Sequence, residues 1–143
     1  MNWLVWALLS ALFAGLTAVL AKVGVENINS NLATAVRTTV VLVFTWAIAL
    51  AVVPAGELAT LSRRTWLFLA LSGVATGLSW LCYFRALQLG EASRVAPIDK
   101  LSVVFAIALA VIFLRERLTW HQWLGGVLIV AGALVIAWKP GAP

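Results

Sequence analysis

Five apolar stretches fill almost the whole chain, at residues 3–21, 32–53, 66–89, 95–114 and 120–138. Each runs for about 19 to 24 residues, and about 20 helical residues cross the hydrocarbon core of a bilayer. Lipid offers the backbone no hydrogen-bond partners, so a spanning segment must satisfy its own, as a helix does. The sequence therefore predicts an all-α polytopic membrane protein: a bundle of five transmembrane helices in one domain over residues 1–143. Composition agrees, because 64% hydrophobic and 10% charged residues leave too little polar surface to wrap a water-soluble globule. The longest connection, residues 54–65, has the length of an ordinary loop, so there is no room in these residues for a catalytic module outside the membrane.

The first stretch has no basic leader segment, its apolar run is longer than that of a signal peptide, and four more spans follow, so it is read as part of the mature bundle. The single cysteine, Cys82, lies inside the third span, which rules out a disulfide within the chain.

The chain carries ten Lys and Arg against five Asp and Glu, a net charge of +5. In a polytopic protein this excess is read loop by loop rather than as a nucleic-acid surface, so the expected surroundings are the lipid bilayer, with no nucleic-acid partner. Loops on the side of the N-terminus hold Arg63, Arg64, Arg115 and Arg117, while the opposite side holds Lys22, Arg94 and Lys139. Adding the membrane-embedded Arg37, Arg85 and Lys100 to the second group reverses the balance. So weak a bias fits a chain that inserts in both orientations, and it fits ordinary exceptions to the charge rule equally well.

Following the chain back and forth brings Lys22, Arg37, Arg85, Asp99 and Lys100 to one face and one depth, roughly 5 to 8 Å below the apolar boundary. Charges in a membrane usually face a cavity or a partner. At so shallow a depth simpler roles compete: Lys22 and Arg37 can snorkel to the interface, Lys22 can complement a helix C-terminus, and Asp99 can complement the positive end of a helix beginning near Pro97. Arg37, Arg85 and Asp99 fit these simpler roles least. Arg37 stands near a helix N-terminus, which disfavours a cation, and the short side chain of Asp99 cannot snorkel far. Arg85 and Asp99, opposite in sign and similar in depth, are expected to pair. Together the group is read as a vestibule that contacts substrate.

Along the third span Ser72, Thr76, Ser79 and Tyr83 recur at helical spacing beside Trp80, giving one polar and aromatic face. Small or hydroxylated faces on spans one, two and four could enclose a water-accessible passage with it, or could simply let helices pack closely. Gly73 and Gly77, and Gly125, Gly126 and Gly132 on the fifth span, carry the same packing signal, and the fifth span is read as a packing or dimerisation helix. No phosphate-binding loop, zinc-protease helix or nucleophile elbow is present. No catalytic residue, metal site or cofactor is therefore expected, and the chain is not read as an enzyme.

From Arg85 the sequence reads RALQLGEASRVAPIDKLSVVFAIALAVIFLRERLTWHQWLGGVLIVAGALVI, which resembles the second half of an EamA domain of the drug/metabolite transporter superfamily. Ala-Lys-Val-Gly at residues 21–24 and Leu-Ala-Thr-Ala-Val-Arg-Thr at residues 32–38 extend the likeness to the start of the chain. Many relatives hold two such five-span units in inverted orientation. One EamA-like unit resembles the small five-span bacterial and archaeal group, which implies a multi-pass protein of the cell inner membrane working as an antiparallel homodimer. The four-span multidrug exporters of the superfamily use a glutamate in their first helix, and residues 3–21 contain none, which counts against proton-coupled export of cationic drugs.

The expected function is secondary transport of a small metabolite by alternating access, with Arg37, Arg85, Asp99 and Lys100 at one mouth and Thr76, Ser79, Trp80 and Tyr83 along the passage. The cationic excess of the charged layer favours an anionic or zwitterionic substrate. The rival reading is a non-transporting membrane partner or scaffold that acts through its fifth span.

Overall fold

The structure, a computed structural model, describes residues 2–54 and 56–138. Lys139, one of the loop cations counted above, lies outside them. The described residues are 84% helical with no strand. The helices are α1 (Trp3–Gly24), α2 (Ser30–Val52), α3 (Arg63–Leu89), α4 (Ala92–Asp99), α5 (Ser102–Phe113) and α6 (Trp120–Ala137), with a 3-10 turn at Glu57–Thr60. Counting α4 and α5 as one span, Ala92–Phe113, five helices among the described residues are long and apolar enough to cross a membrane.

Local chemistry sets most boundaries. Asn29 caps α2 by accepting from the Asn31 amide at 2.8 Å. Ser62 caps α3, its Oγ accepting from the Thr65 amide at 3.1 Å, so α3 begins at Arg63 rather than at the first apolar residue, Trp66. A side-chain cap outranks apolar content at a helix start because it satisfies one of the amides left without a partner there. Thr119 and Gln122 form a capping box on α6. Between α1 and α2 the chain turns through Asn27, whose φ of 61° is left-handed; asparagine tolerates that region better than most residues.

The fourth span departs most from expectation. It is not one helix over 95–114 and does not begin near Pro97. It begins at Ala92, carries Pro97 in its interior and breaks at Lys100–Leu101 before α5. Proline has no N–H, so the Ser93 carbonyl loses its helical donor. Downstream the ladder tightens to three-residue spacing: the amides of Leu101, Val103 and Val104 donate to the carbonyls of Ile98, Lys100 and Leu101 at 3.0, 3.0 and 2.9 Å. Asp99 and Lys100 therefore flank a helix break, with Asp99 ending α4 and standing just ahead of α5.

The chain forms two compact units, Val23–Gln88 on the one hand and Met1–Lys22 with Leu89–Pro143 on the other. In the second, α4 packs against α6 and α5 touches it. In the first, the buried residues Val25, Ser30, Ala33, Thr34, Phe84 and Leu87 all lie at one end, where α2 starts and α3 finishes. Most other apolar side chains are exposed, as lipid-facing residues are. The glycine pairs bring no helices together within the chain: among the described residues, a Cβ added at Gly73, Gly77, Gly125, Gly126 or Gly132 would meet nothing within 4 Å.

Candidate functional site

The site begins with Arg37, the eighth residue of α2 and about 11 Å along the helix axis from its start. Its guanidinium carbon lies 4.2 Å from the centroid of the Trp80 ring and 5.6 Å from that of Phe84. Trp80 and Phe84 are four residues apart on α3, one turn above the other on the same face. The Tyr83 ring meets Phe84 edge-on, with centroids 6.4 Å apart. Phe84 is 3% exposed, so it fixes the position of the group, whereas Arg37, Trp80 and Tyr83 are half-buried.

A cation inside a bilayer costs about 3 kcal/mol on insertion scales, and a cation–π contact contributes about 0.5–2 kcal/mol. The aromatic seat thus offsets part of the cost of placing Arg37 there. Among the described residues no carboxylate pairs with Arg37, and its guanidinium makes no hydrogen bond.

Lys22, Arg85, Asp99 and Lys100, and with them Glu91 and Arg94, have partners close at hand. Arg85 donates to the Gln88 side-chain oxygen at 2.9 Å, and the Gln88 amide donates in turn to the Ile28 carbonyl, which ties the end of α3 to the turn ahead of α2. In the other unit Lys22 donates to the Gly90 carbonyl at 3.0 Å, Asp99 pairs with its neighbour Lys100 at 3.4 Å, and Glu91 pairs with Arg94 at 3.3 Å. Arg85 and Asp99 fall in different units, and each is engaged within its own.

The hydroxyl stripe divides. Thr76 donates to the Ser72 carbonyl at 2.9 Å, one turn back in its own helix, and on α2 Thr34, Thr38 and Thr45 do the same to the carbonyls of Ser30, Thr34 and Val41. Hydroxyls satisfied in this way need no water-filled passage. Ser79 is exposed on α3. The structure thus gathers Arg37, Trp80 and Tyr83, leaves Thr76 and Ser79 on the exposed side of α3, and sets Asp99 and Lys100 at the break in the fourth span.

Two residues here escape a reading of the sequence. Phe84 looks like ordinary lipid-facing filler, and only its spacing of four from Trp80 could have marked it. Gln88, three residues beyond Arg85, carried a signal in that helical spacing. An apolar recess of about 510 Å³ lies elsewhere, beyond the middle of α2, lined by Trp46, Leu50, Pro54, Leu61 and one acid, Glu57.

A sequence model described as the EamA-like transporter family matches residues 1–138. The chain belongs to that family. An uncharacterized transporter encoded in the cobO 3′ region of Sinorhizobium sp. is 57% identical over 136 residues, covering 95% of this chain and 96% of that protein. The uncharacterized transporter YxxF of Bacillus subtilis is 30% identical over 140 residues, 96% of this chain but 43% of that protein. A probable terminal-alkyne amino-acid exporter of Streptantibioticus cattleyicolor is 34% identical over 138 residues, 93% of this chain and 44% of that protein. Nearly the whole of this EamA unit thus spans less than half of those two longer relatives. No solved structure matches the chain.

Proposed function

We propose that the chain is a secondary transporter that moves a small metabolite across the cell inner membrane by alternating access, working as a homodimer. The observation that carries this reading is the pair of coverages: the unit matches the family over almost its full length, yet spans under half of two longer transporters. Two copies of the unit together would match the length of those transporters. Unfilled glycine faces on α3 and α6 support association, since small residues let helices approach closely and nothing among the described residues occupies these. The near-even loop charges support an antiparallel arrangement of the two copies. The break at Asp99–Leu101 supports a substrate path near α4, because transporters commonly build their sites at interrupted helices, where helix ends and unwound backbone meet the solute. An amino-acid-like solute is in keeping with the name of the Streptantibioticus relative, and with an anionic or zwitterionic substrate.

The test is flux by the purified chain alone in liposomes, screened over small organic anions, amino acids and cations. Saturable flux is expected, and it should fall sharply in Gly132→Leu if α6 forms the dimer contact. A reconstituted, folded chain that moves no solute would favour the scaffold reading. Reporter fusions at the C-terminus should give signal on both sides of the membrane; signal confined to one side, unmoved when arginines are transferred between loops, would replace the antiparallel dimer with a parallel one.

A further inference from the structure

The charged layer contains several cations, and their surroundings separate them. The amine of Lys22 is held by a backbone carbonyl. The Arg85 guanidinium is held by an amide oxygen. The Lys100 amine is paired with Asp99, and the Arg94 guanidinium, just outside the layer, with Glu91. Arg37 differs from all of these, because its neighbours are the faces of Trp80 and Phe84. An aromatic ring attracts a cation through its quadrupole and accepts no conventional hydrogen bond from it. The donors of the Arg37 guanidinium, which form a rigid fork matched to a planar oxyanion, therefore keep their capacity for a ligand. Half-buried on a helix that crosses the bilayer, the group combines a fixed positive charge, a partly dry setting and an aromatic wall.

We propose that Arg37, seated on Trp80 and Phe84, is the receptor for a carboxylate on the transported solute, whose apolar body lies against Trp80 and Tyr83. This rests on the transporter reading and narrows it to a substrate class: small organic carboxylates, with or without an amino group, in preference to cations. The aromatic seat acts as a positioning device. It holds the guanidinium at a defined place without neutralising it, which a protein carboxylate would do. Arg64, 5.8 Å from the Phe68 ring at the exposed start of α3, is the natural contrast, since a guanidinium open to water gains little from a carboxylate.

The experiment uses the full chain in lipid nanodiscs and follows 4-fluorophenylacetate by fluorine NMR, with 4-fluorophenethylamine as the cation of matching body. Saturable broadening is expected for the carboxylate and not for the amine. Unlabelled isobutyrate should displace the probe more effectively than inorganic phosphate at equal concentration. Arg37→Gln should weaken binding about 10- to 100-fold, the range expected on losing charged hydrogen bonds. Arg37→Lys should weaken it several-fold by removing the fork while keeping the charge, and Arg64→Gln should leave it unchanged. Equal binding of amine and carboxylate, equal displacement by phosphate, or unchanged affinity in Arg37→Gln would overturn the assignment. If Arg37→Gln does not fold, as judged by helicity and gel filtration, Arg37→Lys decides, and wild-type affinity there overturns it. Binding and flux separate the two readings. Arg37-dependent binding without flux in liposomes would sink transport and keep the receptor, and flux of other solutes without carboxylate binding would do the reverse.

Discussion

Within the unit Val23–Gln88 the two ends of α2 and α3 are built differently. At the end that carries Arg37 and Arg85, Val25, Phe84 and Leu87 are at most 3% exposed, and Ser30, Ala33 and Thr34 are buried with them. Gln88 adds a hydrogen bond between α3 and the turn before α2. At the other end Trp46, Leu50, Leu58, Trp66 and Phe68 are all exposed, by 46% to 77%, around a recess that Glu57 alone makes acidic. Polar groups account for the contrast. Lipid is as apolar as leucine, so contact between apolar faces gains little over contact with lipid. An arginine at membrane depth gains much from neighbours of its own chain. The helices are packed around the half-buried Arg37 and left open where the charges, Glu57, Arg63 and Arg64, are exposed.

The largest test of this contrast is removal of the Phe84 ring. Phe84→Ala should destabilise the fold towards the low end of the ~3–5 kcal/mol typical of buried phenylalanine, because lipid rather than water is the alternative surrounding. Trp46→Ala at the open end should cost well under half as much. Unfolding in mixed micelles of increasing SDS measures both, and equal costs would break the comparison.

Intermediate effects belong to polar groups at each end. Gln88→Leu removes the link from Arg85 to the Ile28 carbonyl and should cost about 1 kcal/mol. Ser62→Ala removes the cap of α3 at the other end and should cost about 0.5–1 kcal/mol. The sharper distinction is in where the loss is felt. Hydrogen exchange should rise at residues 23–34 in the first variant and at the start of α3 in the second. Exchange rising over the same residues in both would mean that the two ends unfold together.

The smallest effect is expected at Thr76, whose hydroxyl is satisfied by the Ser72 carbonyl. Thr76→Val should change stability by less than about 0.5 kcal/mol and leave flux in liposomes unchanged. A marked loss of flux would show that this hydroxyl leaves its own helix to meet solute, and would restore the polar stripe as the wall of a passage.

The five spans, their all-α class and the family were legible in the sequence. Run length against bilayer thickness is a one-dimensional constraint, and about 19 apolar residues can satisfy it in lipid only as a helix. Counting along successive spans also yields an expectation, a common depth for Lys22, Arg37, Arg85, Asp99 and Lys100, and that much was legible. Which neighbour each charge chooses was not. Gly90 at Lys22 and the two rings at Arg37 depend on how helices rotate about their axes, and in a chain this uniformly apolar hydropathy does not specify rotation. Pro97 marked a disturbance in the fourth span, but whether it would start a helix or interrupt one depended on the bend at Gly90 and the extended Glu91, after which α4 begins at Ala92. The sequence by itself determined how many helices are long and apolar enough to cross a membrane, because that follows from distance along the chain. Only the tertiary structure decided that Arg37 rests on Trp80 and Phe84 rather than on a carboxylate, because that choice belongs to two helices meeting at a particular rotation.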